Sequence, residues 1–172
     1  DALNSGIVLV SEDRKEQGII PNLSVGNNIT VSLLDKLSNV LSIIDRQKDR
    51  ALSKSSIEQF NIKTPNQDKL ISELSGGNQQ KALLARAYNL HPKVFILDEP
   101  TKGIDVGAKF EIYQMIYDLT DKGIAVIVIS SELPEVIGIS DRILVMREGE
   151  ISGVVKKEEA TEELLLNMAM LG

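Results

Sequence analysis

Apolar side chains collect in four short segments that are separated by polar and glycine-containing stretches. These segments are Gly6 to Val10, Lys93 to Asp98, Ile124 to Ser130 and Arg142 to Met146. The second and third are almost continuous in valine, isoleucine and leucine, which is typical of strands buried on both faces of a parallel sheet. The pattern therefore predicts four strands, two of them buried on both faces.

A helix is predicted between the second and third strands. The apolar residues Phe110, Tyr113, Ile116 and Tyr117 recur at helical spacing there, and Gly123 ends the pattern. A strand, a helix and a second strand at this spacing form a crossover unit, so the sequence predicts an α/β core.

The segments on either side of this core differ in composition. Residues 19–74 are rich in serine, asparagine, aspartate and lysine, with helical pieces such as "LLDKLSNVLSIID" (residues 33–45) and no clear strand, and we interpret them as a mostly helical insertion. After the fourth strand we predict a hairpin that turns at Glu148-Gly149. A closing helix is predicted over residues 161–171, with Thr161 as its N-cap.

The composition limits the kinds of ligand and compartment. The 172 residues suit one domain, and the net charge of -6 argues against nucleic acid as the main ligand. No cysteine is present, which excludes disulfides and thiolate metal sites. The longest apolar run is far shorter than the roughly 20 residues that span a bilayer. Because the chain opens without methionine, just before a strand, we interpret it as part of a larger polypeptide.

The stretch "ELSGGNQQKALLAR" (Glu73 to Arg86) places Ser75, Gly76 and Gly77 directly before a strongly helical run. Paired glycines usually mark a sharp bend or a close approach of the backbone to another group. A helix N-terminus has unpaired N–H groups and a partial positive charge, which favour a phosphate. The alternative is an ordinary cap by Ser75 or Asn78, with the glycines forming a loop. Since one cap does not require two glycines, we favour a phosphate site.

Two further segments carry acidic residues at the ends of elements. "VFILDEPT" ends a buried strand with Asp98 and Glu99, at the sheet edge where α/β proteins place ligands. Asp98 could hold Mg²⁺ and Glu99 could activate a water, although acidic residues also end ordinary surface strands. Asp105 precedes the helix that starts near Val106, and taken alone it is explained better as a plain N-cap.

These segments, in this order, resemble the nucleotide-binding domain of ABC transporters. "LSGGNQQ" (residues 74–80) is similar to the signature motif, "VFILDEP" to the Walker B strand with its following carboxylate, and "GID" to the D-loop. The resemblance covers the whole chain and implies a P-loop NTPase-like fold. It implies that residues 1–172 are the C-terminal part of one such domain, with a helical subdomain at 19–74 and an α/β core at 93–155.

A narrower resemblance is to the C-terminal ATPase half of bacterial importers for ribose, galactose and other monosaccharides. It rests on "VSEDRKEQG", "LSGGNQQKALLARA" and "LDEPTKGIDVGA". Related nucleoside importers often lose the acidic pair that this chain keeps as Asp98 and Glu99, which favours a sugar. A nucleoside-type importer, a soluble ABC ATPase and a non-catalytic regulatory module remain alternatives.

Three features depart from a working ATPase of this family. No G-x-x-x-x-G-K-[ST] sequence occurs in the 172 residues, so the P-loop is absent from this chain. Glu12 stands where the family usually has a glutamine, and Ser131 stands where it has a switch histidine. Ser131 could instead cap the helix that continues through Pro134. The single histidine, His91, is interpreted as a loop residue near a helix C-terminus.

The resemblance implies a division of labour between two paired domains. Ser75, Gly76, Gly77, Asn78 and Gln79 would contact ATP held by the N-terminal half of the same polypeptide. The site on this half would use Glu99 as the catalytic carboxylate. The other residues implied to contact nucleotide there are Asp98, Asp105, Ser131 and Glu12, with Asp98 and Glu12 also as Mg²⁺ ligands.

The resemblance also implies where the intact protein works and with what. The cofactors would be ATP and Mg²⁺. The partners would be the upstream nucleotide-binding domain, membrane-spanning permease subunits that meet residues 12–28, and indirectly an extracytoplasmic sugar-binding protein, with no nucleic acid. The location would be the cytoplasmic face of a bacterial cell membrane.

Overall fold

The computed structural model describes residues 2–170, and every strand predicted from the sequence is present to within one residue at each end. The strands are β1 (Ile7–Val10), β2 (Val94–Asp98), β3 (Ala125–Ile129), β4 (Arg142–Arg147) and β5 (Glu150–Lys156). The helices are α1 (Val25–Thr30), α2 (Leu34–Leu37), α3 (Arg46–Gln59), α4 (Gly76–Tyr88), α5 (Val106–Asp121), α6 (Leu133–Ile139) and α7 (Glu162–Met170).

The first sheet has the strand order β1-β2-β3. β1 and β2 are parallel, and Val10 lies opposite Leu97 at their carboxyl ends. Phe95 and Leu97 of β2 are fully buried. Because parallel strands end at the same edge of a sheet, the residues that follow β1 and β2 lie next to each other.

β3 is less buried than its sequence predicts. Ile127 and Ile129 are 50% and 49% exposed, and the intervening residues are only partly buried. The predicted burial of this strand on both faces is therefore wrong for the part of the chain that the structure describes, since its described neighbours cover one face only.

The region between β1 and α4 is mainly helical, but the predicted helix over residues 33–45 is wrong beyond its first turn. α2 ends at Leu37, because the Asn39 side chain accepts hydrogen bonds from the backbone nitrogens of Leu41 (2.9 Å) and Ile43 (3.1 Å) and so competes with the helix. α3 starts only after Asp45, whose carboxylate caps the backbone nitrogens of its first turn.

α5 confirms the predicted helix but buries a different face. Ile112, Ile116 and Leu119 are buried, whereas Phe110 is 63% exposed and Tyr117 is 38% exposed. The assignment of Phe110 and Tyr117 to the apolar stripe is therefore wrong. The spacing identified the helix correctly but not which of its apolar residues face the core.

The chain divides into two compact units, the second beginning at Val128. In the second unit Ile143, Val145, Val155 and Leu165 form a core between the β4-β5 hairpin and α7. The hairpin turns at Glu148 and Gly149, both with positive φ, as predicted.

The predicted domain boundaries stay predictions, with some of their elements described. Thr161 caps the closing helix by accepting a hydrogen bond from the backbone nitrogen of Leu164 at 3.2 Å. Leu171, in the predicted range of that helix, lies outside the described residues. His91 is an exposed loop residue just after α4, as predicted.

Candidate functional site

Ser75 caps the N-terminus of α4. Its hydroxyl oxygen accepts hydrogen bonds from the backbone nitrogen of Asn78 at 3.5 Å and from the Asn78 side-chain nitrogen at 3.0 Å. Gly76 and Gly77 are the first two residues of the helix, so the alternative in which they form a loop is wrong. The N–H groups of this first turn point out of the helix end, where an anion would be favoured.

Both glycines also have close neighbours. A Cβ atom on Gly77 would lie 2.6 Å from the Cβ of Ala108, at the start of α5. A Cβ atom on Gly76 would lie 2.7 Å from a guanidinium nitrogen of Arg14. Since real Cβ contacts are longer than this, close packing against Ala108 explains Gly77, whereas the end of the Arg14 side chain could move away from a Cβ on Gly76. Gly77 is therefore weaker evidence for a phosphate site than the sequence suggested.

Asn78 and Gln79 hold neighbouring loops against α4. The side-chain oxygen of Asn78 accepts a hydrogen bond from the backbone nitrogen of Lys63 at 2.8 Å. Gln79 is 8% exposed, and its amide nitrogen donates to the carbonyl oxygens of Ile71 and Leu74, both at 3.2 Å. Gln79 thus points into the protein, where its side chain supports the segment before Ser75.

A cavity of about 230 Å³ lies beside this helix start. Its walls combine the α4 N-terminus with the start of α5 and include four charged side chains; the residues are Lys63, Ser75, Gly77, Asn78, Lys81, Asp105, Gly107, Ala108 and Glu111. The two predicted segments around Ser75 and Asp105 are therefore neighbours in space.

The charged cluster in this cavity was not predicted. Lys81 has a fully buried ammonium group that donates to the Asn61 carbonyl oxygen at 2.9 Å and pairs with Glu111. Lys63 lies 3.3 Å from the other oxygen of Glu111. The hydrogen bond from Lys81 and the neighbouring Lys63 lower the pKa of Glu111. The available signal was a lysine within the buried run of α4, where a charged residue needs a partner.

The second predicted cluster follows the carboxyl ends of β1 and β2. Glu99 has a φ of 46°, which is uncommon and strained for a residue with a side chain. Glu12 forms an ion pair with Lys102, four residues beyond Asp98. Glu12 raises the pKa of Lys102 by accepting its hydrogen bond, and the nearby charges of Glu99 and Asp13 act in the same direction. Lys102 is thus a part of this edge that the sequence analysis missed.

No preformed metal-binding site is found in residues 2–170. No group of three or more histidine, cysteine, aspartate or glutamate side chains there is arranged to hold a metal ion. Glu12 is paired with a lysine, which weakens it as a metal ligand. Asp98, half-buried at the end of β2, is the carboxylate whose place suits Mg²⁺ that is held mainly by other groups.

Asp105 caps a helix, as one interpretation of the sequence predicted, whereas Ser131 does not. Asp105 caps α5, accepting a hydrogen bond from the backbone nitrogen of Ala108 at 3.0 Å. Ser131 does not cap α6, so that alternative is wrong. The N-cap is Glu132, and the Ser130 hydroxyl accepts a hydrogen bond from its backbone nitrogen at 3.1 Å. Ser131 is exposed, in the second compact unit.

The amino-acid sequence matches a known protein family. A family model described as "ABC transporter" matches residues 1–102, and the chain belongs to this family. None of the helices in residues 2–170 has the length and apolar character needed to cross a membrane.

Relatives with established names match nearly the whole chain. It is 50% identical over 170 residues to the ribose import ATP-binding protein RbsA of Clostridium perfringens (strain SM101 / Type A), covering 99% of this chain and 34% of that protein. It is 52% identical over 172 residues to the arabinose import ATP-binding protein AraG of Mannheimia succiniciproducens, again over 99% and 34%. The chain therefore spans about one third of the length of these relatives.

Solved structures share the fold. The ATP-binding cassette MJ0796, as a dimer bound to ADP and Pi in a post-hydrolysis state, matches with a TM-score of 0.73 and 22% identity, over 88% of this chain and 62% of that one. The ABC transporter cassette MJ1267 matches with a TM-score of 0.78 and 22% identity, over 96% of this chain and 69% of that one. The predicted ABC ATPase fold is confirmed.

Proposed function

We propose that the intact protein is the ATP-binding, energy-coupling subunit of a bacterial ABC importer for a simple sugar. The observation that carries the proposal is the identity of about half over nearly the whole chain to ATP-binding proteins named for ribose and arabinose import. A sugar is the substrate class common to these names. ATP hydrolysis by the intact protein would drive its transport.

Ser75 and Gly77 would close on the γ-phosphate of ATP that is held by the N-terminal half of the polypeptide. The capped first turn of α4 supports this role, because its N–H groups and helix dipole favour an anion. Gly76 has no side chain and would let the phosphate approach the backbone at the start of α4. Asn78 and Gln79 would act chiefly by holding the loops around this turn. Each charge-assisted contact would contribute about 1.5–3 kcal/mol, enough to make closure depend on ATP.

The site on this half would use the carboxyl edge of the sheet. Glu99 would position or deprotonate an attacking water, and its strained backbone supports a functional role. Asp105 would border the interface from the start of α5. Ser131 in place of a histidine and the pairing of Glu12 with Lys102 would make this site turn over slowly.

Mg²⁺ fits this edge through Asp98. Mg²⁺ keeps several waters and takes one or two protein carboxylates together with substrate phosphates, so a single aspartate at a strand end is sufficient. When bound, the ion would offset charge on the phosphates. Glu12 fits less well, because Lys102 already neutralises it.

Permease subunits would be the partners of the intact protein, at the cytoplasmic face of the membrane. The segment from Glu12 to Asn28 would face them. An extracytoplasmic sugar-binding protein would be an indirect partner, delivering the sugar.

MgATP titration by calorimetry, with an ATPase assay, tests the proposal on the intact protein and on residues 1–172 separately. We expect micromolar binding and turnover by the intact protein, and no binding by the shorter chain up to millimolar nucleotide, because its sequence holds no P-loop. Tight binding by residues 1–172 alone would mean that the phosphates are held differently, and the role given to Ser75 and Gly77 would be lost. An intact protein without ATPase activity in its transporter would refute the proposed function.

A further inference from the structure

Arg14 joins three segments that the sequence places far apart. It opens a single π-helical turn, Arg14–Gly18, soon after β1. One of its terminal nitrogens donates a hydrogen bond to the Lys102 carbonyl oxygen at 2.8 Å, and the other lies 3.5 Å from the Gly103 carbonyl oxygen. The guanidinium thus spans two consecutive carbonyl groups of the loop that leads to Asp105.

The same guanidinium group is packed against the first residue of α4. The position that a Cβ on Gly76 would take is 2.7 Å from one terminal nitrogen of Arg14 and 3.4 Å from its central carbon. The Nε atom of Arg14 is enclosed and has no hydrogen-bond partner within the described residues. Gly76 therefore leaves the space that the arginine fills, between the start of α4 and the loop at 102–103.

The other end of the turn is fixed to the same helix. Arg86, on α4, donates a hydrogen bond to the Gly18 carbonyl oxygen at 2.7 Å. A Cβ on Gly18 would lie 2.7 Å from a methyl group of Leu83, so the turn lies directly on the helix. Both ends of the Arg14–Gly18 turn are thus fastened to α4 or to its first residues.

We propose that Arg14 is a positioning residue that couples the turn after β1 to the first turn of α4 and to the loop before Asp105. The three segments then move as one body when Ser75 and Gly77 meet a phosphate. A guanidinium has three nitrogens, so it can bond two carbonyls from separate nitrogens while it packs beside Gly76, whereas a lysine ammonium offers one nitrogen and does not reproduce both sets of contacts. The coupling itself follows from the contacts of Arg14, and its consequence for turnover rests on the proposed function.

The test compares Arg14→Gln with Lys54→Gln in the intact protein, since Lys54 is an exposed lysine on α3, a helix that carries none of the proposed site residues. Without nucleotide, we expect Arg14→Gln to speed hydrogen exchange of the hydrogen-bonded amides of Gln79, Lys102 and Ile104 by about tenfold or more, as loss of a charged hydrogen bond implies. We expect kcat for ATP to fall by a similar factor while KM for ATP stays within about twofold, because nucleotide would be held by the other half. Lys54→Gln should change none of these quantities.

Arg14→Lys keeps the positive charge of the side chain but changes the shape of the group that carries it. We expect Arg14→Lys to show the same fast exchange of Lys102 and Ile104 as Arg14→Gln, because a single ammonium nitrogen does not reproduce the contacts that separate guanidinium nitrogens make with the two carbonyls and beside Gly76. Full recovery of exchange and kcat by lysine would overturn the proposal, as would unchanged exchange in Arg14→Gln or a rise in exchange spread evenly over the protein. If the wild-type intact protein lacks ATPase activity, the proposed function fails, and the exchange measurement still decides the role of Arg14.

Discussion

The N-terminus of α4 and the carboxyl edge of the sheet both carry residues expected to face phosphate, but they are built in different ways. At α4, Ser75 is a cap and Gly77 is required by its close neighbour Ala108. At the sheet edge, Glu99 holds a strained backbone angle next to Asp98. Packing accounts for Gly77, whereas Glu99 is placed by the end of a strand. The positive φ of Glu99 is shared by His91 in a loop and by Glu148 in the hairpin turn, so its place beside Asp98 supports a ligand more than its backbone angle does.

The substitutions with the largest expected effect test which of these two regions is needed for turnover. Ser75→Arg should lower ATP-dependent sugar uptake and ATPase activity of the intact transporter about one hundredfold, because the side chain would fill the place of the phosphate and remove its contacts. Glu99→Gln should leave substantial activity, since its own site is expected to turn over slowly. Uptake into vesicles, with ATPase rates alongside, measures both variants.

Ser75→Ala is the matched control for this comparison. It removes the same helix cap, at about 0.5–2 kcal/mol, without adding bulk. Because it also loses the hydroxyl contact with the phosphate, its activity should lie between those of the wild type and Ser75→Arg, at a stability similar to that of Ser75→Arg. Loss of activity in Glu99→Gln with retention in Ser75→Arg would reverse the assignment of the two regions.

The next effect tests whether Gly77 is required by packing. Gly77→Ala should destabilise the protein by about 1–3 kcal/mol, because its Cβ would overlap that of Ala108 and force α4 and α5 apart. Gly138→Ala is the control, since a Cβ at that exposed helical position meets nothing within 4 Å and should stabilise by about 0.5–1 kcal/mol. Denaturant unfolding gives both values. An equal response to the two substitutions would show that close packing does not explain Gly77.

A comparable effect on stability, lost in acid, concerns the cavity beside α4. Glu111→Gln should cost about 1–3 kcal/mol at neutral pH, because the buried ammonium of Lys81 loses its charged partner. Since the pKa of Glu111 is lowered in the folded protein, its contribution is present above the ordinary glutamate pKa of about 4.3 and is lost as pH falls through the lowered value.

The wild-type protein should therefore lose stability more steeply in acid than Glu111→Gln does. Unfolding free energies measured from pH 7 down to about pH 3 show the difference between the two slopes. Parallel curves for the two proteins would mean that Glu111 does not carry the linkage. Glu158→Gln, at an exposed position in the second unit, serves as the control and should leave the slope unchanged.

Local sequence predicted the elements of this protein better than their surroundings. The strands, α5 and the hairpin at Glu148-Gly149 follow from short-range apolar spacing and turn chemistry, and each is confirmed. The helix over residues 33–45 failed because one side chain, Asn39, redirects the backbone hydrogen bonds. The exposure of Phe110 was missed because spacing gives the period of a helix and not the direction of the core.

The family-specific motifs, the order of the strands along the chain and the acidic ending of β2 can all be read from the amino-acid sequence. The pairs of side chains that meet become visible only once the elements are packed: Arg14 with Gly76 and residues 102–103, Glu12 with Lys102, and Lys81 with Glu111. These pairs are 30 to 90 positions apart in the chain, as with Lys81 and Glu111 or Lys102 and Glu12. Local periodicity carries no information over such distances, because the contacts arise only when whole elements pack together.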